Sequence, residues 1–276
     1  MQTFTDKVAV ITGAASGIGR GLAERCAREG MRLVLADVDE PTLAVAAREL
    51  EAAGTPVLAV PTDVSRAADV ATLAEKTMAA FGGVHLFFNN AGVGVSGAIW
   101  EVSEADWAWI LGVNLWGVIH GMHVFVPLML AQGHEAHIVN TASIAGLTAG
   151  PGLGPYKVTK HGVVTLSETL QYELALRGAP IKVSVLCPGS VQTRIADFER
   201  YGRATVGPLS PEEAAASEAV RQAVAAGMTP LELADHVFAA IHAEQFYILP
   251  QPEWKAAIRE RMEAILGDQK LPIPGR

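Results

Sequence analysis

The chain has 276 residues, 50% of them apolar and 18% charged, which is enough for one large domain with a substantial core. The formal net charge of −8 argues against a nucleic-acid-binding surface or a surface for anionic membranes. Cys26 and Cys187 are too few for a disulfide framework, so we expect both to be reduced. Because the start of the chain shows no cationic leader or long apolar run, we expect a cytoplasmic protein.

Short β-branched runs alternate along the chain with longer amphipathic segments. The predicted strands are 7–12, 32–37, 56–60, 85–89, 137–142, 182–187 and 246–250. The predicted helices lie near 17–29, 40–53, 66–81, 103–131, 154–177 and 230–243. Most of the strands are continuous apolar runs, as in parallel sheets that helices cover on both faces. The pattern predicts an α/β fold with one domain, a doubly wound Rossmann-type parallel sheet of about seven strands.

One long segment interrupts this alternation between a predicted strand and the following helix. Residues 195–228 are polar and alanine-rich, and insertions of this length are usually lids or binding loops. We therefore expect a substrate lid here, within a single catalytic domain that covers 1–276. The end of the chain, 251–276, is expected to form a C-terminal helix followed by a tail rich in proline and glycine.

The first predicted strand runs directly into the glycine-rich turn TGAASGIG at 12–19. Glycines at such a turn let backbone N–H groups approach a pyrophosphate at the N-terminus of the next helix. An ordinary tight turn is also glycine-rich, but the position between a strand and a helix favours a dinucleotide site. The cofactor-binding residues that we expect in the turn are Gly13, Ser16, Gly17, Ile18 and Gly19.

Asp37 closes the second predicted strand. A carboxylate there can accept hydrogen bonds from the adenosine ribose hydroxyls and would repel a 2′-phosphate. Its neighbours Val38 and Ser16 provide no cation for that phosphate, which favours NAD over NADP. Arg20 is the exception, since a flexible arginine near the turn could contact a phosphate. The alternative interpretation of Asp37 is a solvated strand end.

Two further loops follow predicted strands and complete the expected cofactor site. Asp63 and Val64 follow the third strand, where Asp63 could bind the adenine amino group, although such a residue is also typical of a turn. Asn90, Ala91 and Gly92 follow the fourth strand. Small residues at this point suit a loop that is pressed against the cofactor.

Several motifs occur in a fixed order between residue 7 and about residue 194. They are TGAASGIG (12–19), NNAG (89–92), Asn114 in GVNLWG, Ser143 in NTASIAG, YKVTK (156–160) and PG (188–189). In this order the motifs resemble those of the short-chain dehydrogenase/reductase family. The resemblance implies a catalytic tetrad of Asn114, Ser143, Tyr156 and Lys160. Two departures, Ala142 and Thr159 where many members have serine, remove no catalytic atom.

The chemistry of the implied reaction explains why a tyrosine and a lysine lie one helical turn apart. A free phenol has a pKa of about 10, and a nearby ammonium group lowers it towards neutral pH. We therefore expect Tyr156 to be the acid/base and Lys160 to lower its pKa. Ser143 would stabilise negative charge on the substrate oxygen. Asn114 is a poor helix former, and a local break there would let its amide or main chain hold a water linked to Lys160.

The resemblance also implies that Lys160 and Tyr156 contact the nicotinamide half of the cofactor. We further expect Pro188, Gly189 and Val191 to cap the nicotinamide pocket and Thr193 to bond the carboxamide. The candidate substrate-pocket residues are Val93, Val95, Ala145, Leu147, Leu153 and Val191, together with residues of the 195–228 lid, from which Arg194, Arg200 and Arg203 could reach the pocket. Because most of them are apolar, we expect a hydrophobic or aromatic secondary alcohol and its ketone. Steroids, sugars and hydroxyacyl thioesters remain possible substrates.

Histidines and tryptophans have simpler interpretations. His120 and His123 lack a suitably spaced third ligand, so we expect core or interface histidines and no metal. His134 and His137 flank a strand start and are expected at the surface. The tryptophans between 100 and 116 suit a helix packed on the sheet or on another subunit, and the family resemblance implies a homodimer or homotetramer. The expected partner is a small molecule, not a nucleic acid or a membrane.

Three alternatives compete with an alcohol dehydrogenase. An enoyl reductase is disfavoured because that branch of the family separates its tyrosine and lysine more widely than Tyr156 and Lys160. A non-catalytic NAD-binding regulator has no physical need for an intact tetrad. A structural protein without a cofactor leaves the glycine turn and Asp37 unexplained.

Overall fold

A computed structural model gives the structure over residues 1–197 and 211–267. Its centre is a sheet of seven parallel strands in the order β3-β2-β1-β4-β5-β6-β7. The strands are β1 (Val8–Thr12), β2 (Arg32–Asp37), β3 (Val57–Pro61), β4 (Leu86–Asn89), β5 (Ala136–Thr141), β6 (Ile181–Leu186) and β7 (Tyr247–Ile248). The helices are α1 (Gly17–Arg28), α2 (Glu40–Ala52), α3 (Ala67–Phe81), α4 (Glu104–Leu111), α5 (Gly117–Gln132), α6 (Gly154–Leu176), α7 (Pro211–Ala225), α8 (Pro230–His242) and α9 (Lys255–Leu266).

Two apolar layers enclose the sheet, and successive strand residues point into opposite layers. In β1, Ile11 packs into the layer formed with α1, α2 and α8, whereas Val10 packs into the layer formed with α3, α5 and α6. Since both faces of the inner strands β1, β2 and β4 are buried, these strands are apolar at most positions, whereas the edge strands β3 and β7 are partly exposed. The predicted doubly wound sheet of about seven strands is confirmed, although β7 is shorter than predicted.

The predicted helix at 103–131 is in fact three consecutive elements. Helix α4 continues into a π-helical turn at Gly112–Trp116, which continues into α5. The stretch Glu104–Gln132 is long enough and apolar enough to cross a membrane, judged by length and composition alone. Here it packs against β4, α3 and α6, and core helices meet the same criterion.

The segment expected to be a lid, 195–228, contains a helix that the sequence reasoning missed. Helix α7 occupies Pro211–Ala225, and the polar, alanine-rich composition that suggested an insertion also suits a helix. After α7, the chain returns to the sheet edge, where Met228 pairs with Val191. Residues 198–210 of the expected lid, and 268–276 of the expected tail, lie outside the described residues.

His137 was expected at the surface, and this expectation is wrong. It lies in β5, fully buried, and its Nε2 is 2.8 Å from Ser184 Oγ in the neighbouring β6. Because the Ser184 hydroxyl donates to the carbonyl of Gln245, Nε2 of His137 carries the proton in that pair. Burial lowers the pKa of His137 to about 3, so the ring is neutral at physiological pH.

A chain of buried amides ties β4 and β5 to the helices behind them. Asn89 Nδ2 donates to Asn140 Oδ1 at 3.0 Å, and Asn140 Nδ2 donates to Ser167 Oγ at 3.0 Å. Asn89 Nδ2 also lies 3.4 Å from the Val118 carbonyl of α5. Gly121 of α5 makes room for this chain, because a Cβ there would lie 2.2 Å from Asn89 Oδ1.

Replacing Gly121 with alanine is therefore predicted to destabilise the fold. The methyl group must displace the Asn89 amide and leave buried polar atoms unpaired, which costs on the order of 2–4 kcal/mol. Urea unfolding of Gly121→Ala and of Gly112→Ala measures this cost. Gly112 is a matched control, since it is also helical and its Cβ would lie 3.4 Å from Ser65 Cβ, an ordinary contact. Equal stabilities of the two variants would contradict the role of Gly121.

Candidate active site

A cavity of about 530 Å³ opens at the carboxyl ends of the strands, where the strand order reverses between β1 and β4. Open α/β sheets bind ligands at this topological switch point. The predicted cofactor residues that line the cavity are Gly13, Ser16, Gly17, Ile18, Asp37, Asp63, Val64, Asn90, Ala91, Gly92, Tyr156, Lys160, Pro188, Gly189, Val191 and Thr193. The structure therefore brings together all of these residues except Gly19.

Gly19 lies beneath the glycine turn, where there is no space for a side chain. A Cβ on Gly19 would lie 2.0 Å from the carbonyl oxygen of Gly13. Gly13 itself has a positive φ of 66°, and a Cβ on it would lie 2.9 Å from Ala91 Cα. The turn thus presents bare backbone to the cavity at the N-terminus of α1, where N–H groups and the helix dipole suit a pyrophosphate.

Asp37 is held in place at the end of β2 by two backbone groups. Ala15 N donates to Asp37 Oδ2 and Asp39 N donates to Asp37 Oδ1, both at 3.0 Å. These bonds fix a carboxylate on the cavity wall, with lone pairs left to accept from ribose hydroxyls. The Arg20 guanidinium does not neutralise the Asp37 carboxylate, because it pairs with Glu24 at 2.8 Å and with Glu49 at 3.0 Å.

Asn90 connects three strands under the cavity. Its Nδ2 donates to the Thr12 carbonyl at 2.9 Å, its backbone N–H donates to Thr12 Oγ1 at 2.9 Å, and Thr141 Oγ1 donates to its Oδ1 at 3.2 Å.

Asp63 has the turn role that the sequence left open, since its Oδ1 accepts from Ser65 N and Ser65 Oγ.

The expected local break at Asn114 is present as the π-helical turn. The side-chain amide is fully used: Nδ2 donates to the Val93 carbonyl at 2.9 Å and to Thr159 Oγ1 at 3.2 Å. Its Oδ1 accepts from Val93 N at 2.8 Å. Asn114 is fully buried and does not line the cavity, so only its main chain is left to hold the expected water.

Tyr156, Lys160 and Ser143 meet at one wall of the cavity. Tyr156 and Lys160 lie one turn apart at the start of α6, and Lys160 Nζ is 5.5 Å from the Tyr156 ring centroid. Lys160 Nζ also donates to the Thr141 carbonyl at 2.9 Å. Ser143 lies just after β5, where its Oγ accepts from Ala145 N at 3.1 Å.

Burial changes the pKa values of Tyr156 and Lys160. It raises the pKa of Tyr156, and a hydrogen bond with Ser143 opposes the rise. The pKa of Tyr156 was expected below its usual value, and in this structure its direction is the opposite, because burial removes the phenolate from water. Burial lowers the pKa of Lys160 to about 8, so this amine is still mostly charged at neutral pH.

The predicted substrate-pocket residues divide into two groups. Val93 and Val191 line the cavity, whereas Val95, Ala145, Leu147 and Leu153 are not among its lining residues. Val95 packs in a small apolar cluster beside Tyr156, and Leu153 pairs with Gly97. Ile195, Asp197 and Val224 of the expected lid also line the cavity, as does Arg194 just before it. Trp109 and Val113 line the cavity as well, and the sequence reasoning missed them. The four-residue spacing of Trp109 and Val113, just before Asn114, was the available signal.

The cysteines and the possible metal ligands were also candidates for a functional site. Cys26 and Cys187 are buried and free. Among residues 1–197 and 211–267, no group of three or more histidine, cysteine or acidic side chains is placed to hold a metal ion.

Comparison with known proteins places this geometry in a family. The family model described as short chain dehydrogenase matches residues 7–203. The chain belongs to the short-chain dehydrogenase/reductase family. In a crystal structure of a short-chain dehydrogenase/reductase from Burkholderia phymatum in complex with NAD, the matched chain is 47% identical, with a TM-score of 0.96 over 100% of both chains.

Two further relatives of this family extend over nearly the whole chain. A CLA biosynthesis dehydrogenase/reductase from Lactiplantibacillus plantarum is 37% identical over 274 residues, which are 97% of this chain and 96% of the relative. A C alpha-dehydrogenase from a Sphingobium species is 35% identical over 280 residues, covering 99% of this chain and 89% of the relative. The protein is thus an oxidoreductase of the short-chain family.

Proposed function

We propose that the protein is an NAD(H)-dependent alcohol dehydrogenase and ketone reductase that acts on a hydrophobic or aromatic secondary alcohol. The observation that carries this proposal is the grouping of Tyr156, Ser143 and Lys160 at the wall of the nucleotide cavity. A nicotinamide cofactor, when bound, supplies or accepts the hydride. The bound NAD of the Burkholderia phymatum structure supports this class of cofactor.

The residues along the cavity suit the parts of NAD in order. The turn that lines the cavity with Gly13 and Gly17 would hold the pyrophosphate, and Asp37 would accept from the adenosine ribose. Lys160 and the loop that begins at Pro188 would hold the nicotinamide half, with Thr193 near the carboxamide. The fixed Asp37 carboxylate and the paired Arg20 favour NAD over NADP.

In the reduction direction, Tyr156 donates its phenolic proton to the carbonyl oxygen of the ketone as the carbon is reduced. The Ser143 hydroxyl donates a hydrogen bond to the same oxygen and stabilises its developing negative charge. The ammonium group of Lys160 stabilises the resulting phenolate. In oxidation the same phenolate takes the hydroxyl proton of the alcohol, so proton and hydride leave the substrate to different acceptors.

The apolar part of the cavity lining supports an apolar substrate. Val93, Trp109, Val113, Val191 and Val224 line the cavity from four separate segments of the chain. A flat aromatic side chain and branched aliphatic groups bind hydrocarbon surface better than they bind a small charged acid. Steroid, sugar and hydroxyacyl-thioester dehydrogenases remain second candidates.

The assembly and location of the protein are also proposals. Trp116 is 53% exposed on the helix pair α4–α5, and burial of such a side chain in a homodimer or homotetramer would stabilise the assembly. We propose a cytoplasmic enzyme whose substrate is a small molecule.

The reaction is tested by absorbance at 340 nm with NAD⁺ and a panel of aryl and alkyl secondary alcohols. We predict turnover that increases from neutral towards alkaline pH, because burial raises the pKa of Tyr156 and oxidation requires the phenolate. Tyr156→Phe is predicted to lower kcat by about 10²–10⁴-fold. Tyr172→Phe is the control, since Tyr172 lies exposed on the same helix. Full activity in Tyr156→Phe would refute the mechanism, and a preference for small charged hydroxy acids would refute the substrate class.

The cofactor preference is tested by Asp37→Asn. Losing the charge weakens hydrogen bonds to the ribose hydroxyls and removes repulsion of a 2′-phosphate, so kcat/KM should fall about tenfold for NAD⁺ and rise for NADP⁺. Asp39→Asn is the control, because asparagine can also cap α2 and the NAD⁺/NADP⁺ ratio should then stay constant. A wild-type enzyme that prefers NADP⁺ would contradict the role given to Asp37.

A further inference from the structure

The loop from Pro188 to Thr193 is anchored on one side by the segment that follows α7. Gln192 N donates to the Met228 carbonyl at 2.9 Å, and Met228 N donates to the Ser190 carbonyl at 3.2 Å. A Cβ on Gly227 would lie 2.5 Å from the Ser190 carbonyl group, so the two segments are in close backbone contact. The Gln192 side chain adds a third bond between the two segments, since its Nε2 donates to the Gly227 carbonyl at 2.9 Å.

The other side of the loop is held by one side chain from the C-terminal part of the chain. Gly189 N donates to Gln251 Oε1 at 2.8 Å, and Gln251 Nε2 donates to the Ser190 carbonyl at 2.8 Å. Trp254 packs beside this contact, because a Cβ on Gly189 would lie 2.5 Å from its Nε1. Gln251 therefore satisfies a backbone donor and a backbone acceptor of neighbouring residues at the same time.

The anchored loop also contacts the reacting centre. The Pro188 carbonyl accepts from Ile144 N at 2.9 Å, and Ser143 Oγ lies 3.4 Å from the same oxygen. Gly189 lines the cavity between this contact and the Gln251 contact. A continuous set of hydrogen bonds thus connects Gln251 to the backbone around Ser143.

We propose that Gln251 is a positioning residue for the nicotinamide half of the site. Its amide fixes the Gly189–Ser190 backbone before the cofactor arrives, so the loop loses little conformational freedom on binding. The C-terminal segment then sets the affinity for nicotinamide without touching the reacting atoms. This inference rests on the proposed function, since it assumes that the loop faces a nicotinamide ring.

The experiment compares two ligands that differ in the nicotinamide group. Calorimetry gives the Kd of NADH and of ADP-ribose for the wild type, Gln251→Met and Gln251→Glu. Gln251→Met removes both hydrogen bonds at similar side-chain length. Gln251→Glu keeps an acceptor for Gly189 N but turns a second acceptor towards the Ser190 carbonyl, so it disrupts the donor side of the contact at constant side-chain shape.

Gln132 is a matched control, because it is a second glutamine whose side chain hydrogen-bonds to backbone N–H and carbonyl groups. Gln132 at the end of α5 accepts from Val84 N and donates to the Val84 carbonyl, both at 2.8 Å. These bonds lie just before β4, at the amino ends of the strands. The cavity lies at the opposite, carboxyl ends. Gln132→Met thus removes the same two interactions without touching the cofactor loop.

We expect Gln251→Met to raise the Kd of NADH by about three- to tenfold, the value of one neutral hydrogen bond, and to leave the Kd of ADP-ribose unchanged. Gln251→Glu should raise the Kd of NADH at least as much, because its carboxylate repels the Ser190 carbonyl oxygen. Gln132→Met should lower the melting temperature without changing either Kd. If the Gln251 variants change the Kd of both ligands equally, or leave the Kd of NADH unchanged, the proposal is overturned and the proposed function stays intact. A wild type that binds neither ligand would overturn both.

Discussion

The burial of a lysine amine beside a tyrosine ring is the interaction on which the rest of the site depends. Lys160 is only 3% exposed, and its charge is stabilised by the Thr141 carbonyl at the end of β5. A buried ammonium is costly, which is why the pKa of Lys160 falls to about 8. A negative charge on Tyr156 would reduce this cost, so under the proposed mechanism Lys160 opposes part of the penalty that burial places on the phenolate.

That arrangement requires the carboxyl ends of the strands to be held at fixed separations. Asn90 ties β1, β4 and β5 together below the cavity, and Asn114 ties the loop at Val93 to α6 through Thr159. Each of these amides uses both its donor and its acceptor, so any rotation leaves a buried polar atom unpaired. The polar network therefore positions Ser143, Tyr156 and Lys160 more tightly than apolar packing alone would.

Sequence reasoning predicted the fold correctly because the inner strands of a parallel sheet are buried on both faces and are therefore mostly apolar. It also located the break at Asn114, since asparagine is a poor helix former in an otherwise apolar helix. Most of the cavity-lining residues were located for a similar reason: the glycine turn and Asp37 each occupy the end of a recognisable strand, and strand ends converge at one edge.

The parts that the sequence did not reveal depend on burial and on contacts between distant segments. The pKa of Tyr156 was expected to fall, but desolvation is a property of the folded environment and not of the Tyr156–Lys160 spacing. Gln251 holds Gly189 across 62 residues, and no local pattern marks such a contact. His137 shows the same limit, since a polar residue at a strand start was buried against Ser184 of β6.

Hydride transfer at the wall that carries Tyr156 is the central claim. The most direct test uses the best alcohol of the substrate panel, deuterated at its carbinol carbon, with NAD⁺ and the wild-type enzyme, and proton NMR of the reduced cofactor. We predict that deuterium appears at C4 of the nicotinamide ring in a single configuration, with Tyr156→Phe forming the same product far more slowly. Reduced cofactor without deuterium, or deuterium distributed over both faces of the ring, would contradict direct transfer in this cavity.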